Sequence, residues 1–91
     1  MPLLKEGEIQ RAVEELNGWS KLGNEIVKHF EFDDFIHAMS FVNSVALLAE
    51  RASHHPDIDI RWNKVTLTLA THSEGGITKK DIALAQEIET L

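Results

Sequence analysis

Two adjacent histidines and a proline, in the stretch "ERASHHPD" at residues 50–57, are the groups in this chain whose types and spacing point most directly to chemistry. Histidine is the side chain whose ordinary ionisation lies nearest neutral pH, so imidazoles gathered at one place suggest proton transfer. Neighbours at i and i+1 do not share a helix face. Pro56 also pushes His55 out of the helical region into an extended conformation. A helix arriving here therefore stops, and the two rings leave the junction in different directions. A third imidazole, His72, closes the stretch "VTLTLATH". If that stretch pairs as a hairpin with the segment that starts after Pro56, its end returns beside His54 and His55.

Carboxylates stand around this cluster. Glu50 precedes His54 by four residues, so a helix persisting to its end stacks the two side chains, and the carboxylate can fix the ring's tautomer. Asp81 falls in the first turn of the last predicted helix, just past the Gly75-Gly76 break. Each residue has a plainer alternative: Glu50 as a solvated helix residue, His54 as a cation favoured at a helix C-terminus, Asp81 as a capping acid. His29, in a strand, and His37, on a helix flank, are expected at the surface or rim. Rings at element ends contribute little packing, so replacing one is expected to leave stability nearly unchanged.

Other chemistries fit less well. Three histidines can bind a metal, but a His-His pair with His55 extended converges poorly on one ion, and no i, i+4 helical or i, i+2 strand ligand pair is present. No metal and no cofactor are therefore expected. There is no cysteine in the chain, which removes thiolate nucleophiles, disulfides and cysteine zinc sites. Ser53 and Ser73 lack a G-x-S-x-G context, and no phosphate-binding glycine loop occurs.

The elements that must position these groups can be read from periodicity. Ile9, Ala12, Val13 and Leu16 recur at helical spacing, with Asn17-Gly18 as the stop. Trp19–Leu22 and Glu25–Phe32 flank Gly23-Asn24 and predict a hairpin, with Phe30 and Phe32 on one strand face. Asp33 or Asp34 caps a long helix running to about Ala52, in which Phe35, Ala38, Met39, Val42, Val45, Ala46 and Ala49 form one apolar stripe. Ile58, Ile60 and Trp62 then alternate with one parity and Val65, Leu67 and Leu69 with the other, so a turn near Asn63-Lys64 makes a second hairpin. The "TKKD" run at 78–81 predicts a capping box opening a last helix with Ile82, Ala85 and Ile88 inward. This order predicts an α+β two-layer sandwich: a four-stranded antiparallel sheet with three helices on one face.

Composition narrows the function classes. A chain of 91 residues with 43% hydrophobic content makes one small domain, 1–91, too small to be more than marginally stable alone. Phe41 and Leu48 lie off the main stripe of the long helix and would be wet in a monomer, so a homodimer or homotetramer through this helix or the sheet edge is expected. The formal charge of −6 argues against direct nucleic-acid binding, which needs a basic face. No apolar run of membrane-spanning length and no signal-peptide pattern occur, so a soluble, cytoplasmic protein without membrane association is expected.

The motifs together resemble a known family. "E-x-x-x-H-H-P-D-I" at 50–58, "W-N-K-V-T-L-T-L-A-T-H" at 62–72 and "G-G-I-T-K-K-D-I" at 75–82 are similar to pterin-4a-carbinolamine dehydratases. The likeness extends upstream through Gly18-Trp19, Phe30, Phe32, Phe35 and "VALLAE" at 45–50. It implies loss of water from a 4a-hydroxytetrahydropterin to give quinonoid dihydropterin, in recycling of the pterin used by aromatic amino acid hydroxylases, in subunits that associate as dimers or tetramers. By the resemblance, His54 and His72 are the proton donors. His55 mainly binds the pterin substrate, and Glu50 and Asp81 set charge and orientation. The resemblance implies two alternatives to this activity: a dimerisation cofactor of a homeodomain transcription factor, as in the mammalian relatives, or a dehydratase-like action on another pterin, near molybdopterin synthesis.

Overall fold

The computed structural model describes residues 2–91. In chain order the elements are α1 (Glu6–Glu15), β1 (Ser20–Leu22), β2 (Glu25–Glu31), α2 (Phe35–Ala52), β3 (Asp57–Arg61), β4 (Lys64–Leu69), a 3-10 turn at His72–Glu74 and α3 (Lys79–Ile88). The four strands form one antiparallel sheet in the order β1-β2-β4-β3, with the helices on one face. This is the sandwich that the alternating parities predict.

Register explains which side chains reach the core. In the central pair, Ile26, Lys28 and Phe30 oppose Leu69, Leu67 and Val65. Ile26, Val65, Leu67 and Leu69 are completely buried beneath Val45 and Ala49 of α2 and Leu84, Ala85 and Ile88 of α3. The other face carries Val27, His29 and Glu31 opposite Thr68, Thr66 and Lys64, and among the described residues no helix lies over it. Truncating Leu67 to alanine removes fully buried apolar volume at the sheet centre, an expected cost of about 2–5 kcal/mol.

Three details differ from the sequence reading. The second hairpin turns at Trp62-Asn63, one residue early. Trp62 leaves the alternation, takes φ 52° and is 66% exposed, while Asn63 tucks inward and donates through Nδ2 to the Phe32 carbonyl at 2.8 Å. Along α2, Ala38, Val42, Val45 and Ala49 are buried as expected, but Phe35 and Ala46 are exposed. Phe41 and Leu48, expected to be wet, are half-buried and pack on the core. Phe41 lies 4.6 Å from the Phe30 ring and 5.0 Å from Phe32, centroid to centroid. The reason is that α2 touches both the sheet and α3, so its buried arc is wider than one stripe. The large apolar groups it leaves exposed are Phe35, Ile36 and Leu47.

Candidate active site

The site begins with how α2 ends. Ser53 adopts the left-handed conformation at φ 52°, ψ 40°. Its N–H donates to the Glu50 carbonyl, and the His54 N–H donates to the Ala49 carbonyl, each at 3.1 Å. This pair of bonds closes the helix as a Schellman motif, satisfying the last carbonyls and reversing the chain. A left-handed residue between Glu50 and His54 breaks the i, i+4 relation that would have stacked them.

Glu50 consequently pairs with His55 and not, as its spacing suggested, with His54. His54 turns inward, and its Nε2 lies 2.5 Å from Asp81 Oδ1. His55 folds back over the helix end, its Nε2 2.6 Å from Glu50 Oε1. The pairs differ in setting: the His54 and Asp81 side chains are 11% and 0% exposed, those of His55 and Glu50 60% and 80%. His54 is thus part of the packed structure. Its removal would strand a buried carboxylate oxygen, contrary to the small stability effect expected for a ring at an element end.

Asp81 is held from α3 by the capping box that the sequence predicts. Its Oδ2 accepts the Thr78 N–H at 2.9 Å and the Thr71 hydroxyl at 2.8 Å. Capping and histidine anchoring therefore belong to one carboxylate, one oxygen for each. Thr71 and Thr78 have hydroxyls 2.7 Å apart; the sequence marks Thr78 as the start of the capping box but gives Thr71 no part in the site. A threonine two residues past a strand end gives no signal of what it faces.

His72 arrives by a shorter strand than expected. β4 ends at Leu69, Thr71 bridges to Gly76, and His72 opens the 3-10 turn, exposed. The hairpin argument nevertheless brings it to the right place. A cavity of about 280 Å³ is lined by His54, His55 and His72, with Ser53, Ser73 and Lys80 among its other walls. Lys80 is a further residue to which the sequence reading gave no part in the site. Its only signal is its place beside Asp81 in the first turn of α3.

Proton-transfer groups therefore converge on one small polar cavity between the end of α2, the end of β4 and the start of α3. A larger concavity of about 760 Å³ lies on the open sheet face. Its single histidine, His29, is tied to Thr66 through Nδ1 at 2.9 Å, so size alone does not select a site. His37 caps α2 with Asp34, and Trp19 is a core residue whose Nε1 donates to Glu89 at 3.0 Å. Neither joins the cavity. Among the described residues, no group of three or more histidine, aspartate or glutamate side chains is arranged to hold a metal ion.

Comparison with known proteins gives a consistent result. The family model described as Pterin 4 alpha carbinolamine dehydratase matches residues 2–91. A protein of Roseiflexus castenholzii, provisionally named pterin-4-alpha-carbinolamine dehydratase, is 53% identical over 89 residues, covering 98% of this chain and 96% of its own. One from Chloroflexus aurantiacus with the same provisional name is 50% identical over 91 residues, covering 100% and 98%. Among solved structures, a transcriptional coactivator/pterin dehydratase from Brucella melitensis superposes with a TM-score of 0.93 at 40% identity, over 97% of this chain and 96% of that one. A pterin dehydratase-like protein described as a RuBisCO assembly factor in the alpha-carboxysome shares the fold, with a TM-score of 0.69 at 23% identity over 81% and 88%. With the family model and these relatives spanning essentially all of its length, the chain belongs to the pterin-4-alpha-carbinolamine dehydratase family.

Proposed function

We propose that this protein is a 4a-hydroxytetrahydrobiopterin dehydratase working by histidine general acid–base catalysis in tetrahydrobiopterin recycling. The observation that carries the reading is the cavity on which His54, His55 and His72 converge, with His54 anchored to the buried Asp81. Dehydration breaks the C4a–O bond, adds a proton to the departing oxygen and removes the proton from N5 as the N5=C4a double bond forms. Imidazoles supply both transfers near neutral pH. His54 and His72 are the acid–base pair in this reading. His55, more exposed and steadied by Glu50, mainly contacts the pterin. Asp81 orients His54, and Lys80 adds a cation to the cavity wall.

Proton transfer of this kind needs no metal or covalent nucleophile, so chelators are expected to leave turnover unchanged. Activity lost to a chelator and restored by zinc would contradict this. The direct test adds the purified protein to an aromatic amino acid hydroxylase reaction and follows the transient 4a-carbinolamine. Decay faster than the uncatalysed rate is expected, and decay at that rate would remove the reading.

The exposed Ile36 and Leu47 of α2, with Ile58 and Ile60 on the edge strand β3, support association into a homodimer or homotetramer, now on different residues from those the sequence pointed to. A monomeric mass in light scattering at micromolar concentration would contradict it. The same surface favours one second reading, an interaction module of the kind named for the Brucella melitensis protein. Retention on an immobilised homeodomain factor by a variant without dehydratase activity would support that role. Among the described residues no helix is long and apolar enough to cross a membrane, and we place the activity in the cytoplasm.

A further inference from the structure

We propose that Thr71 and Thr78 are positioning residues which, acting through Asp81, hold neutral His54 with its proton on Nε2 and present Nδ1 to the cavity as the proton acceptor. The catalytic half of this proposal rests on the dehydratase reading; the positional half does not.

The argument is a count of protons. Each threonine hydroxyl has one to donate, and a carboxylate oxygen only accepts. Thr71 Oγ1 stands 2.8 Å from Asp81 Oδ2 and 2.7 Å from Thr78 Oγ1. Its proton goes to the carboxylate, so towards Thr78 it accepts, and the Thr78 proton points to Thr71. Thr78 Oγ1 in turn accepts the Lys80 N–H at 3.2 Å. The chain runs one way, from the Lys80 amide through Thr78 and Thr71 to Asp81. With the Thr78 N–H at 2.9 Å, Oδ2 collects two donors beside the N-terminal turn of α3, the surroundings that suit a carboxylate. That leaves Oδ1 to accept from His54 Nε2 at 2.5 Å.

The other ring nitrogen then decides the chemistry. Among the described residues Nδ1 of His54 has no hydrogen-bond partner; it is not one of the buried polar atoms left unsatisfied, and it belongs to a ring that lines the cavity. With the proton on Nε2, Nδ1 carries a free lone pair facing the substrate space. It takes the N5 proton, the N–H electron pair becomes the N5=C4a π bond, and the C4a–O bond breaks. The oxygen leaves as water with a proton from a second, protonated imidazole, which His72 supplies. The new imidazolium on His54 is paired with buried Asp81, and solvent returns its proton to His72.

Asp81→Asn separates this arrangement from a merely structural one. The Thr71 hydroxyl and the Thr78 amide both require an oxygen acceptor, so they orient the new amide with its NH₂ towards His54. Nε2 must then accept, and the proton moves to Nδ1. In ¹⁵N-labelled protein the imidazole nitrogens of His54 are expected to report Nε2–H in the unsubstituted chain and Nδ1–H in Asp81→Asn. kcat is expected to fall by about two to four orders of magnitude and KM to change less. Adding Thr71→Val to Asp81→Asn removes one of the two donors that orient the amide and should return part of the population to Nε2–H. Thr71→Ser alone should keep both tautomer and kcat.

Nδ1–H in the unsubstituted protein, or Nε2–H retained in a folded Asp81→Asn, overturns the proposal. The unsubstituted spectrum decides even if the variant does not fold. Because the spectrum needs no pterin, Nε2–H without faster carbinolamine decay would sink the dehydratase reading alone, and faster decay with Nδ1–H would sink this proposal alone.

Discussion

Two histidine–aspartate pairs in this molecule have nearly the same length and opposite consequences. His54 and Asp81 meet at 2.5 Å, with side chains 11% and 0% exposed; His37 and Asp34 meet at 2.7 Å, with side chains 62% and 49% exposed. Both pairs join an imidazole to a helix-capping carboxylate. Water decides what each is for. At the start of α2 both groups keep their solvent and can part without leaving a buried orphan. At the start of α3 the carboxylate has only protein partners, so its geometry is fixed by the donors around it and passed on to the ring. A short histidine–carboxylate distance is therefore weak grounds for a site, and burial of the carboxylate is the stronger one.

The comparison breaks most visibly at Asp81. Asp81→Ala strands the His54 N–H, the Thr78 N–H and the Thr71 hydroxyl together, and urea unfolding is expected to show a loss of about 3–5 kcal/mol. A loss under about 1 kcal/mol would mean that water enters and replaces the carboxylate. His55 and Glu50, the exposed pair on the cavity side, come next. Glu50→Gln should raise KM severalfold and leave kcat and the melting temperature close to unchanged. A fall in kcat comparable to that of Asp81→Asn would show that exposure had misjudged Glu50.

The smallest effect belongs to His37 and Asp34. Hydrogen bonding to Asp34 raises the His37 pKa above its ordinary 6.5, and hydrogen bonds from His37 lower that of Asp34 below 3.8. The His37 contribution is fully present below its ordinary pKa and disappears as pH rises through the raised folded value. That of Asp34 is present above its ordinary pKa and disappears as pH falls through the lowered one. The pair is thus expected to add a slight stability maximum in the acidic range between these limits. His37→Gln should flatten it, and salt should weaken it in the parent protein. A maximum that survives both changes would have another source.

The sequence made the fold legible where periodicity has one interpretation. Opposite parities at Ile58/Ile60 and Val65/Leu67/Leu69 required the second hairpin, and that hairpin alone brought His72 to His54 and His55. Legibility failed where a single backbone torsion decided the outcome. Nothing in "RASHH" marks Ser53 as left-handed, yet that residue takes Glu50 from His54 and gives it to His55. Trp62 failed in the same way, since a tryptophan continuing an alternation gives no warning of a turn at positive φ. Phe41 and Leu48 failed because a stripe read from one helix cannot include the width of the two surfaces it packs against. Thr71 was invisible because its role lies in what it faces across ten residues of chain, on Asp81.

The claim that the imidazoles around this cavity catalyse dehydration is tested most directly by removing two of them without disturbing the packing. His54→Gln keeps an N–H for Asp81 while abolishing acid–base function, and His72→Ala removes an exposed ring. In the hydroxylase reaction the parent protein should speed decay of the 4a-carbinolamine. The double variant, folded by circular dichroism, should lose at least about two orders of magnitude in turnover. Near-parental turnover in that folded variant would contradict the account.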